Sequence, residues 1–165
     1  MAKAMDVADL IITEAQKNNS PVSNLKLQKV MYFLNAIHLL EYNASLITDA
    51  NFEKWDYGPV IHSVYSEYSS NGANEISSPA SHVSLQQDSY GHFTVVTHNF
   101  NINNLNSSDV NFIKNNIKKF LQYNPFELVD KSHIEPQWRD KSEKDYSDEK
   151  TRQYYLKVDN RFWEN

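Results

Sequence analysis

The sequence contains no cysteine, which removes disulfide frameworks, thiolate metal sites and cysteine nucleophiles in one step. It has only three glycines, Gly58, Gly72 and Gly91, too scattered to build a loop that cradles phosphates. No stretch approaches the ~20 apolar residues of a membrane span. The opening Met1–Asp6 is not followed by the apolar run of a secretory signal. A cytoplasmic protein with no membrane contact is therefore expected. Metalloprotease and nucleophile-elbow motifs are missing. His82, His92 and His98 would hold a metal only if the fold gathered them, and they read as surface histidines. No catalytic residue, metal or cofactor is expected. Basic charge is also short, with 16 Lys and Arg against 21 Asp and Glu and a net charge of −5. Nucleic-acid binding needs a basic footprint, so no direct nucleic-acid contact is expected. The acidic balance suits a basic partner, although solubility alone explains a charge of this size.

What is present fits one domain over residues 1–165, long enough to bury a core of its own. Aromatic residues make up 13% of the chain, with ten Tyr, eight Phe and three Trp. They stabilise cores through large buried areas and also favour contact surfaces.

Helical spacing marks Ala4–Asn18, where Val7, Leu10, Ile11 and Ala15 form one stripe. Pro21 breaks the pattern. Ser23 or Asn24 then caps a helix reaching about Tyr42. Its apolar residues occupy more than one face, so it is the expected central helix. Leu46–Trp55 reads as a short hairpin or an extended connector. Pro59 suits the first turn of a helix over Val60–Ser69, with Val60, Val64, Tyr65 and Tyr68 on one face. Ser70–Ser89 reads as a polar surface loop and 92–97 as a strand, its partner Phe52–Trp55 or, second, Val83–Leu85. Ser107 is expected to cap a further helix with the stripe Val110, Ile113, Ile117, Phe120 and Leu121. Phe126–Val129 follows as a turn or short helix. Residues 140–147 read as a polar linker to a last helix from Asp148. The expected fold is mainly α with a small β element: a helical bundle around the buried helix 24–42, with a short antiparallel hairpin or sheet.

Trp55 and Tyr57 flank the Gly58-Pro59 turn. They can clamp it onto the central helix or present it to a partner, and Trp138 poses the same choice. Gln28, which both donates and accepts hydrogen bonds, is expected to tie the central helix to this turn.

Two stretches resemble the signatures of the Panacea domain, the SocA-like antitoxin family that includes prophage-associated GepA-type proteins. They are Asn24-Leu25-Lys26-Leu27-Gln28-Lys29-Val30-Met31-Tyr32-Phe33 and Phe52-Glu53-Lys54-Trp55-Asp56-Tyr57-Gly58-Pro59-Val60, the second continued by Val64-Tyr65. Pro125–Leu128 and Pro136–Arg139 fit more loosely. The resemblance implies an antitoxin that neutralises a cognate toxin, encoded beside it, by direct contact. It implies no catalytic residue. The alternatives are a proteolytic adaptor and a phage-encoded accessory or anti-defence binding protein. Within the two signatures Leu25, Leu27, Tyr32, Gly58 and Pro59 are expected to be structural. Gln28, Lys29, Trp55, Tyr57 and Trp138 are the candidate partner-binding residues. A homo-oligomer is the other partner expectation. If specificity lies in variable parts, Ser70–Ser89 and Asn99–Asn106 are where it would sit.

Overall fold

Residues 2–165 are described by a computed structural model of the chain. Helix α1 spans Ala4–Lys17 and buries Val7, Leu10, Ile11 and Ala15. Helix α2 spans Asn24–Tyr42. Ser23 is its cap, accepting from the Lys26 N–H at 3.3 Å, and Asn43 ends it in the left-handed region at φ 53°. A short polar side chain tolerates that conformation. Almost every α2 residue is buried, the polar Asn24, Lys26, Gln28, Lys29 and Asn35 included. The helix packs against α1, a short β element and three later helices. It is the central element that its apolar pattern predicts.

The first β element is a tight hairpin. Strand β1, Glu53–Trp55, pairs antiparallel with β2, Gly58–Val60, in the register Glu53↔Val60, Lys54↔Pro59 and Trp55↔Gly58. Pro59 therefore lies in a strand, and helix α3 starts later, at His62–Glu67. A three-residue ladder loses little from the missing proline N–H, and the Pro59 carbonyl is used elsewhere. Val60, Val64 and Tyr68 are buried as the spacing predicts, but Tyr65 turns outward. The stretch 140–147 lies along the outer side of β1. Lys54 N–H donates to Lys144 O at 2.9 Å, and Tyr146 N–H donates to Phe52 O at 2.8 Å.

The second β element departs from the expected polar loop. Strand β3, His82–Gln87, pairs with β4, Phe93–His98, from His82↔His98 to Gln87↔Phe93. The segment 92–97 thus takes Val83–Leu85 as its partner and not Phe52–Trp55. Helix α4, Ser107–Asn116, is capped by Asn106, one residue before Ser107. Helices α5 (Lys118–Leu121), α6 (Pro125–His133), α7 (Pro136–Arg139) and α8 (Asp148–Leu156) complete the fold. The result is mainly α with a small β element. Among the described residues no helix is long and apolar enough to cross a membrane.

Candidate protein-contact site

The β1–β2 turn is fastened to α2 from below. Gln28 accepts from the Ile61 N–H at 2.9 Å and donates to Asn24 Oδ1 at 3.2 Å. Asn24 in turn donates to Tyr65 O at 2.9 Å. This chain ties the central helix to the residues just after the turn, as expected of Gln28. One residue along α2, Lys29 reaches Pro59 O with its ammonium at 2.8 Å. Lys29 is fully buried, and burial lowers its pKa to about 7. Desolvation penalises the charged form, and no carboxylate offsets that penalty.

Gly58 is needed at the turn. Its φ is +89°, and a Cβ there would collide with the Ser132 hydroxyl on α6. Ser132 Oγ donates to Val129 O at 2.7 Å, which fixes it in that position. The turn is therefore wedged between α2 and α6 with no room for a side chain. Trp138 closes it from α7, donating its indole N–H to Trp55 O at 3.0 Å. Its ring stacks on His133 at 3.6 Å between centroids, and Lys141 lies 4.4 Å over it.

The solvent side is aromatic. Trp55 packs against Tyr65 at 4.9 Å, and Tyr57 meets Phe126 edge-on at 6.2 Å. Tyr57 and Phe126 are well exposed, Tyr65 is exposed, and Trp55 is half-buried. Between them lies an open cleft of about 340 Å³ lined by Leu25, Gln28, Trp55, Asp56, Tyr57, Val60 and Tyr65. The expected residues thus separate by depth. Gln28 and Lys29 are buried and support the turn from inside, Gln28 at the floor of the cleft. Tyr57 is open to a partner, and Trp55 and Trp138 are half-buried. Of the structural set, Leu27, Tyr32, Gly58 and Pro59 are buried, while Leu25 is partly exposed in the cleft. Tyr65 and Phe126 were missed as surface residues. Helical spacing placed Tyr65 inward, and Phe126 follows a proline at a helix start.

A second buried network was also illegible. Glu135 is fully buried and accepts from Tyr32 Oη at 2.6 Å, Tyr155 Oη at 2.7 Å and Gln137 Nε2 at 2.9 Å. Burial pushes its carboxyl pKa up, and the hydrogen bonds oppose that shift. The network joins α2, α7 and α8. Three donors converge on a carboxylate that is itself buried and fasten these helices together, while Glu135 and Gln137 also border an open cleft lined by Asp140, Lys150 and Tyr154. Among the described residues no cluster of three or more metal-type ligands forms. His82 and His98 face each other in the β3–β4 ladder, while His92 sits at its turn beside Asp88.

Residues 27–139 match the family described as antitoxin SocA-like, Panacea domain, and the chain belongs to that family. Over 73 residues it is 38% identical to antitoxin SocA from Caulobacter vibrioides (strain NA1000 / CB15N). That alignment covers 44% of this chain and 38% of the relative, so the chain spans well under half of the relative it matches. No solved structure matches it.

Proposed function

We propose that the chain is an antitoxin that neutralises a cognate toxin by direct contact, in the cytoplasm and without catalysis. The observation that carries this reading is the use made of the family signatures. Buried Gln28, Lys29 and Gly58 hold a turn whose outer side displays Tyr57 and Trp55 over an aromatic cleft. Rigid aromatic side chains around a concave, partly apolar surface favour protein contact, since they bury area at low cost in conformational entropy.

Co-expression with the product of the neighbouring gene tests the reading. Growth rescue, a co-purifying complex and an unchanged toxin half-life are expected. Rescue accompanied by a shortened toxin half-life would instead support the proteolytic adaptor. No rescue and no complex would overturn the antitoxin reading. Within the complex, Tyr57→Ala is expected to weaken binding about thirtyfold or more, the level of an interface hot spot.

A further inference from the structure

The β3–β4 hairpin is built with its amphipathic pattern reversed. Along a strand, successive side chains alternate between faces. The observed register places Val83, Leu85, Phe93 and Val95 together on one face. Ser84, Gln86, Thr94 and Val96 lie on the other. A sheet with one face on a core normally turns its apolar side inward. Here Val83, Leu85, Phe93 and Val95 are each between 66% and 69% exposed, whereas His82, Ser84 and Val96 are half-buried. Tyr90, at the turn, is 85% exposed.

The hairpin is nonetheless well formed. Asp88 Oδ1 accepts from the Tyr90 and His92 N–H groups, and Gly91 takes the positive φ the turn requires. Ser84 Oγ lies 2.7 Å from His98 Nε2 across the strands. Ala80 and Phe100 flank the ladder at the end opposite the turn, pack against the core and anchor its base. Among the described residues the sheet has two strands, and no further strand pairs with the outer edge of either. An ordered hairpin with an outward apolar face and free edges is a surface suited to an extended segment of another protein.

Charge identifies the occupant. From Trp55 to Ile113 the chain has no Lys or Arg, but it has Asp56, Glu67, Glu75, Asp88 and Asp109. Of these, Asp88 sits at the hairpin's turn and Glu67 lies 3.4 Å from His82 at its base, while Asp56 lines the Trp55 cleft and Asp109 is buried on α4. A second copy would bring Asp88 and Glu67 against their own equivalents with no Lys or Arg on either hairpin to offset them, which like-charge repulsion disfavours. A basic partner is attracted to it.

We propose that the outward face of the β3–β4 hairpin docks a basic toxin, covering Val83, Leu85, Phe93 and Val95 with an apolar segment flanked by Lys or Arg. This rests on the antitoxin reading above and adds a contact surface that shares no residue with the Trp55 cleft.

The test measures binding of the neighbouring-gene product to three forms of the full chain: wild type, Leu85→Thr/Val95→Thr, and Leu85→Lys/Val95→Lys. Threonine retains strand preference and both positions are exposed, so the threonine pair is expected to melt with wild type, whereas two lysines directly opposed at the Leu85↔Val95 pair repel and are expected to lower the melting temperature slightly. The threonine pair is expected to lose at least tenfold in affinity and the lysine pair more. Wild-type association is expected to slow with added salt. Amide exchange on the wild-type complex is expected to protect residues 83–97, which reads the contact even where a variant misfolds. Equal binding by all three forms with unprotected hairpin amides would overturn this proposal and leave the antitoxin reading standing. A wild-type chain that binds no neighbouring product would remove both. A concentration-dependent dimer in light scattering, lost in the threonine pair, would make the occupant a second copy and overturn the proposal as well.

Discussion

Lys29 carries a charge that the interior does not support. Its pKa falls to about 7 in the folded chain, from 10.5 as the ordinary value. Between those two points the unfolded chain binds more protons than the folded one, so stability rises with pH across that window. The slope is at most about 1.4 kcal/mol per pH unit for one fully buried group. Lys26, also held low by burial, contributes with the same sign. Tyr32 and Tyr155 act in the opposite direction once unfolded phenols ionise near pH ~10, because burial raises both of their pKa values. Urea unfolding between about pH 7 and 9.5 is therefore expected to show rising stability in wild type. A clearly smaller slope is expected in Lys29→Met, with the remainder assigned to Lys26. A slope identical in the two proteins would show that Lys29 does not titrate in that range.

Among the elements, α6 has the most explicit start signal. Asn124 accepts from the Glu127 N–H at 3.0 Å while Glu127 accepts from the Asn124 N–H at 2.7 Å, and Pro125 occupies the first helical position. This reciprocal cap satisfies two otherwise free backbone donors. Asn124→Ala is expected to cost about 1 kcal/mol, measured by thermal or urea unfolding. Glu127→Ala added to it is expected to cost less than the separate effect, because each half of the box orders the other. The helices were legible in the sequence because their stripes repeat over several turns, as with Val7, Leu10 and Ile11 in α1. The β3 strand was legible only in part, with Val83–Leu85 standing second to Phe52–Trp55 as the partner of 92–97. Its apolar residues, Val83 and Leu85, stand alone between serines and glutamines, and they point to solvent, where a burial pattern gives no signal. Pro59 misled for a related reason, since a proline fits a helix start and a short edge strand equally well. At the candidate site the Gln28 tie was legible from its side-chain chemistry. The depth of Lys29 was not, because its partner is a backbone carbonyl, and neither was the convergence of Tyr32, Gln137 and Tyr155 on Glu135.

For the molecule as a whole, the family-matched stretch 27–139 does not close its own core. Helix α1 precedes it, and α8 with the C-terminal tail follows it. All three contribute fully buried or nearly buried side chains to the same apolar cluster. Phe33 on α2 lies 4.9 Å from Phe162 edge-on and 6.2 Å from Trp163, and Phe120 on α5 lies 6.0 Å and 5.9 Å from the same two rings. Arg161 holds the tail against α8, donating to Tyr155 O at 2.7 Å. Tyr155 itself reaches the Glu135 network, so the tail and the polar fastening are parts of one assembly. Truncating a buried Phe or Trp to Ala costs roughly 3–5 kcal/mol. Two such losses together are comparable to the total stability of about 5–15 kcal/mol typical of natural proteins. Phe162→Ala/Trp163→Ala is accordingly expected to lose its cooperative thermal transition or to melt far below wild type, with dye-accessible apolar surface exposed. It is also expected to lose the toxin binding proposed above, although neither residue lines the aromatic cleft or the β3–β4 hairpin. Either single variant should retain a cooperative transition at reduced stability. A double variant that melted like wild type would show that the tail rests on the core without closing it.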